Sequence, residues 1–194
     1  MKLLYTKRSP YARKVRVLAL ENGIHLDFID EDLANKSKQL LDSNPLGKVP
    51  TLILDNGDTI FDSVVICQYL DEQAGKTKLI PVSGKARFDV LKWEAMADDM
   101  VTIAIYAYME KVRHPKDFHS QLVANSENSI LKAYQYIETH LNDLKEFNLA
   151  SIAVACAIGY IHFRLPHLKV QGKLAQWFEE INKRPSMAQT VPVV

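Results

Sequence analysis

Cysteine is nearly absent from this chain: among 194 residues there are two, Cys67 and Cys156, each inside an apolar segment. So sparse a set offers no disulfide framework, no redox pair and no metal-ligand spacing, and it suits a reducing compartment, the cytoplasm. The six histidines are scattered without an H-E-x-x-H spacing, so each reads as a surface or core residue and no metal is expected. An excess of one charge is missing too, with 24 Lys and Arg against 23 Asp and Glu. Without a basic surplus to neutralise phosphates, nucleic acid is not an expected partner. No segment approaches the roughly 20 uninterrupted apolar residues of a membrane span. The opening MKLLYTKRSPYAR has too short an apolar stretch for a signal peptide, so no membrane partner is expected either. Internal repeats and low-complexity segments are also lacking.

What is present suits two small domains, each able to bury its own core within 22.0 kDa. Residues 2–5 form a short apolar run that Thr6-Lys7-Arg8-Ser9 breaks. Pro10 then opens a segment whose Tyr11, Val15, Leu18 and Ala19 share one helical face, with Ser9 as N-cap and Gly23 as the stop. A second strand is expected at 27–29. After a polar stretch comes Asn44-Pro45-Leu46-Gly47-Lys48-Val49-Pro50, a turn-rich connector, and then two strands at 51–54 and 59–61. The intervening Asp55-Asn56-Gly57-Asp58 makes that pair a β-hairpin. Asp62-Ser63 caps a helix carrying Val65, Ile66, Tyr69 and Leu70, which ends before Gly75. The order βαβ followed by ββα is a thioredoxin-like topology, here assigned to residues 1–76.

Residues 76–83 are polar around Pro81 and read as a linker, beyond which strand signals disappear. Residues 84–194 are therefore expected to form an all-α helical bundle. Phe88, Leu91, Trp93, Met96, Met100, Ile103 and Tyr106 recur at helical spacing towards Val112, and Pro115 stops that long helix. A second helix is expected at 122–141. Residues 149–163 are apolar nearly all round, the mark of a central buried helix. The last helix spans 172–183 and ends at Arg184-Pro185.

Three positions combine local structure with chemistry. Ser9 is first a helix cap; in a thioredoxin topology it also stands where the unpaired N–H groups of the first helix favour an anion such as a thiolate. The Val49-Pro50 bond precedes a strand, which suits either an ordinary trans turn or a cis bond. A cis bond would turn the Val49 backbone outward to pair with an extended peptide, as a neighbouring strand does. Asp62-Ser63 reads equally as a cap and as a site for a free amine and a carboxylate.

These segments carry a family resemblance. Ser9-Pro10-Tyr11-Ala12 resembles the glutaredoxin Cys-Pro-Tyr-Cys motif with both thiols replaced. NPLGKVPTL followed by FDSVVICQYL resembles the glutathione-binding signature of the cytosolic glutathione transferases, and LASIAVACAIGYIHFR with WFEEINKRPSMAQTVP resembles the C-terminal domain of bacterial members. The resemblance covers nearly the whole chain and implies the glutathione transferase fold. It further implies a serine-type, theta- or zeta-like enzyme that conjugates the glutathione thiolate to an apolar electrophile. Ser9 would stabilise the thiolate, Val49 would pair with the cysteinyl backbone, Asp62 and Ser63 would hold the γ-glutamyl end, and Lys48 the glycine carboxylate. Arg8, Tyr11, Tyr106 and Met109 are candidates for the co-substrate site. The family implies a homodimer, and glutathione as co-substrate without a separate cofactor.

Two departures stand out. Asn148 and Ser151 occupy places where the family usually has Ser or Thr and, at the third helical position, Asp, so the reciprocal acidic partner of the cap is missing. Zeta-type isomerases follow their serines with Cys where this chain has Tyr11, which disfavours maleylacetoacetate isomerase. Two other readings share the fold: a thiol-disulfide reductase or peroxidase, which needs a cysteine where Ser9 stands, and a non-catalytic ligand-binding protein, since fold does not fix function.

Overall fold

The computed structural model describes residues 1–75 and 78–193. Strand β1 (Lys2–Tyr5) is central in a sheet ordered β2-β1-β3-β4. It pairs in parallel with β2 (Asp27–Asp30) and antiparallel with β3 (Thr51–Ile53), which forms a hairpin with β4 (Thr59–Ile60). Consecutive Leu3 and Leu4 are both fully buried. Successive strand side chains point to opposite faces, so both faces of the sheet are covered. Helices α1 (Pro10–Glu21) and α3 (Ser63–Gln73) pack on each other, and the short α2 (Lys38–Ser43) lies against β3. Helix α2 falls in the stretch expected to be irregular; Ser37 caps it and Leu40 is its one buried apolar anchor, too little for a periodic signal.

The C-terminal part is helical: α4 (Gly84–Arg113), α5 (Ser120–Thr139), a single 3-10 turn at Leu141–Leu144, α6 (Leu149–Arg164), α7 (Gly172–Asn182) and α8 (Pro185–Ala188). Helix α6 is the buried centre of this bundle, every residue from Leu149 to Ile158 lying inside, against both α4 and α1. Its cap needs no acid: Asn148 Oδ1 accepts the Ala150 N–H at 2.9 Å, and the Ser151 hydroxyl accepts the Asn148 N–H at 3.0 Å. A serine thus supplies the reciprocal half of the capping box expected to be missing. Pro185, expected as a stop, is the first residue of α8, because its missing N–H would have had no partner there. Helix α5 begins two residues early because His119 Nδ1 accepts the Leu122 N–H, an unusual cap.

The linker expected at 76–83 begins at residues outside the described set, and the boundary at 76 lies there too. Its described part is packed against the protein at two residues, while Val82 is 82 % exposed. Leu79 and Ile80 are buried, and their N–H groups donate to the Asp71 carboxylate at 2.8 and 3.3 Å. The Leu79 carbonyl accepts the Leu149 N–H at 3.0 Å, tying this segment to the start of α6.

Helix α1 is enclosed more fully than its apolar face foretells. Arg13 and Lys14 are 2 % and 1 % exposed. Lys14 Nζ meets Asp98 Oδ2 at 2.6 Å and Glu94 Oε1 at 2.8 Å on α4. Arg13 donates to Thr190 Oγ1, Asn182 Oδ1 and the Met187 carbonyl, holding α7, α8 and the residues after them.

Candidate functional site

Ser9 closes the loop after β1 in an extended conformation, and its Oγ accepts the Ala12 N–H at 3.2 Å. Its carbonyl takes the Arg13 N–H at 2.9 Å, and Pro10 has no N–H to satisfy. Among the described residues the Tyr11 N–H finds no acceptor, so the first turn of α1 presents one free donor. Because Ser9 Oγ accepts from Ala12, its own proton remains to be donated. A free N–H, a hydroxyl proton and the positive end of a twelve-residue helix converge there, a setting that stabilises an anion.

The second element is the connector 44–51, built around Asn44. Its Nδ2 donates to the Lys48 carbonyl and to Thr51 Oγ1, both at 3.1 Å, while its Oδ1 accepts the Leu46 N–H at 3.0 Å. Gly47 has φ +55, a left-handed conformation that favours glycine; an added Cβ would also meet Lys36 Nζ at 3.0 Å. The Val49-Pro50 bond is cis. Neither the N–H nor the C=O of Val49 has a partner among the described residues. They form an open edge for an extended peptide.

The third element is the start of α3. Asp62 Oδ1 caps the Val64 N–H at 3.1 Å, and Ser63 is buried beside it. The Asp62 charge adds to the upward push that burial exerts on the Glu94 and Asp98 carboxyls, which places it towards α4.

A cleft of about 590 Å³ runs from the loop before α1 and the 47–49 turn to α4 and α6. Ser9, Lys48, Val49, Arg8, Tyr11 and Tyr106 all line it. Asp62 and Ser63 stand outside its walls, and so does Met109, half-buried on α4. Tyr11 is anchored across the cleft: its hydroxyl lies 2.7 Å from Thr102 Oγ1 and 3.4 Å from the Asp98 carbonyl. Burial pushes the Tyr11 and Tyr160 phenols above the ordinary tyrosine value, so both are protonated at neutral pH.

Sequence reasoning missed several lining residues, chiefly Lys36, Thr102, Ile105, Tyr160 and Arg164. The signal for the last two was present: Tyr160 and Arg164 stand four apart on a largely apolar helix, one turn on one face. Cys67 and Cys156 are both buried, and burial pushes both thiols above the ordinary cysteine range. Among the described residues no group of three or more His, Cys, Asp or Glu is placed to hold a metal ion, and no helix is long and apolar enough to cross a membrane.

A thioredoxin-like domain joined to a helical one, with a cleft between the first helix and the bundle, defines the glutathione transferase fold. Residues 8–73 match the family model described as glutathione S-transferase, N-terminal domain. Over 99 % of its length the chain is 32 % identical to the uncharacterised GST-like protein YibF of Escherichia coli K12, covering 98 % of that protein. A glutathione transferase family member from Pseudomonas fluorescens Pf-5, solved with bound glutathione, is 37 % identical with a TM-score of 0.91 over 100 % of this chain and 99 % of that one. A glutathione S-transferase from Methylobacillus flagellatus KT, also with glutathione bound, is 38 % identical with a TM-score of 0.93 over 99 % of each chain. The chain belongs to the glutathione transferase family.

Proposed function

We propose that this protein is a serine-type glutathione transferase that joins the glutathione thiolate to an apolar electrophile. The observation that carries the reading is the convergence on one cleft of the Ser9 hydroxyl, the free Tyr11 N–H and the unpaired Val49 backbone. In it residues 1–76 bind glutathione and residues 84–194 shape the co-substrate site. Val49 pairs with the cysteinyl backbone, directing its sulfur towards Ser9. Lys48 takes the glycine carboxylate. The free amine goes to Asp62, and the γ-glutamyl carboxylate to Ser63 and the open N–H groups of α3. The Ser9 hydroxyl and Tyr11 N–H then stabilise the thiolate more than the thiol, which lowers its pKa and supplies the nucleophile. The electrophile lies against Tyr11, Tyr106 and Arg8, with Met109 behind. Relatives solved with glutathione in place support the first half of this assignment.

Buried thiols with raised pKa values, and serine rather than cysteine at the helix start, argue against a thiol-disulfide reductase or peroxidase. Glutathione serves as co-substrate with no separate cofactor. A cytoplasmic homodimer, with the first domain of one subunit against the long helices of the other, completes the reading. The test is a calorimetric glutathione titration of wild type and Asp62→Ala, beside a chloronitrobenzene turnover assay. Binding that Asp62→Ala abolishes, with turnover, supports a transferase; binding without turnover directs the search to other electrophiles or to a non-catalytic glutathione-binding role; no binding sinks the reading.

A further inference from the structure

The cleft has an unbalanced wall. Arg8, Lys36, Lys48 and Arg164 line it, and among the described residues no carboxylate does. Under the transferase reading, Lys48 serves the glycine end, beside Lys36, which packs against Gly47. Arg8 and Arg164 lie at the other end, both close enough to Tyr160 for their charges to act on its phenol. Glutathione has no third carboxylate to offer them.

Arg164 is the more telling of the two. It is half-buried in the last turn of α6, its guanidinium carbon 4.4 Å from the Phe163 ring centre and 4.7 Å from that of Tyr108. Its hydrogen bonds run only to phenols among the described residues, from Nη1 to the Tyr108 hydroxyl at 3.3 Å and to the Tyr160 hydroxyl. Nε is buried without a partner, and no carboxylate pairs with the guanidinium among the described residues. A partly buried cation is ordinarily paired with an anion. The negative end of a helix favours a cation there, but a solvated lysine would meet that need without being held among aromatic rings. A planar, unpaired guanidinium aimed into an aromatic cleft matches a carboxylate in bidentate geometry.

We propose that the co-substrate end of the cleft is a carboxylate subsite: the electrophile is an apolar, preferentially aromatic body bearing an acidic group that Arg164 grips, with Arg8 adding a second positive charge. This rests on the transferase reading and narrows its substrate class. Two unreactive ligands that differ in one group test it, S-(para-carboxybenzyl)glutathione and S-(para-methylbenzyl)glutathione, titrated calorimetrically into the full-length protein beside free glutathione. The carboxylate is expected to bind about tenfold more tightly than the methyl compound. That advantage should shrink as salt is raised, largely disappear in Arg164→Met, and partly return in Arg164→Lys. Equal binding of the two ligands by wild type, with free glutathione bound, overturns the subsite and leaves the transferase reading standing. Failure of free glutathione to bind overturns both. Should Arg164→Met not fold, the wild-type pair and its salt dependence decide the matter alone.

Discussion

The Lys14 ammonium lies 2.6 Å from Asp98 Oδ2 inside the protein, a bond between α1 and the middle of α4 that crosses from the first domain to the second. Glu94 Oε1 is 2.8 Å from the same nitrogen. Burial works against the charged ammonium, but Cys67, Asp98 and Glu94 together outweigh it and hold the lysine above its ordinary pKa. Burial raises both carboxyls in spite of Lys14.

Lys14→Met removes the cation and leaves two enclosed carboxylates unpaired. Near neutral pH the variant is expected to lose about 3–5 kcal/mol of stability. Without Lys14 both carboxyls titrate higher still, so their ionised forms are what oppose folding. The deficit should therefore shrink as pH falls from 7 to about 4, because the folded carboxyls take up protons before the unfolded ones do. Denaturant unfolding at the two pH values checks this; a deficit independent of pH would mean lost packing alone.

On the transferase reading Ser9 has two separable jobs. Its hydroxyl caps Ala12, so Ser9→Ala should cost about 0.5–2 kcal/mol, whereas Ser9→Gly costs only a few tenths. On the same reading both variants lose a donor to the thiolate and should raise the pKa of bound glutathione alike, by about one unit or 1.4 kcal/mol. Ultraviolet absorbance of the thiolate against pH reads the shift, and thermal unfolding reads the cap. Unaltered pH profiles in both would remove Ser9 from the chemistry.

Gly159 on α6 lets the Arg13 guanidinium lie directly on the helix. A Cβ there would stand 2.5 Å from Nη1, and Arg13 cannot swing away cheaply because Thr190, Asn182 and Met187 hold it. Gly159→Ala should destabilise the protein by about 1–3 kcal/mol despite alanine's better helix propensity. A higher melting temperature would show that Arg13 has room to move.

Glu21 joins the end of α1 to the approach to α8, with Arg184 Nη2 2.7 Å away and Ser186 donating to the same carboxylate. Burial pushes its carboxyl up, but the bonds from Arg184 and Ser186 and the Arg184 charge win, and it titrates below the usual glutamate value. Its stabilisation is therefore complete above the unfolded value of about 4.3 and disappears as pH falls through the lower folded one. Glu21→Gln should cost about 0.5–1 kcal/mol near pH 7, an amount limited by solvent screening, and nothing measurable at strongly acidic pH. Parallel stability curves across that range would exclude the link.

Much of the fold is legible from residue order. The apolar run of β1, the Asn-Gly turn of the hairpin, the periodicity of α4 and the uniform apolarity of α6 each act within one element. Where prediction fails, the local signal is weak or ambiguous. Helix α2 has little to bury, and proline reads as a stop or a start depending on what precedes it. The cleft divides the same way. Ser9 and Val49 on its wall are legible because caps and turns draw on neighbouring residues; Thr102, Tyr160 and Arg164 are not, because their place depends on helices far apart in sequence.

The sequence by itself determined the order of the strands and of the longer helices, the Ser9 and Asp62 caps, and a resemblance to the glutathione-binding signature of the family, since each rests on chemistry spanning a few residues. Only the tertiary structure decided that Lys14 and Arg13 lie inside, that Tyr11 reaches Thr102 across 91 residues, and that Arg164 faces a cleft with no carboxylate in its wall among the described residues. Whether a charge is buried, and whether it is paired there, depends on the packing of distant elements. Helical periodicity carries no record of what will stand opposite.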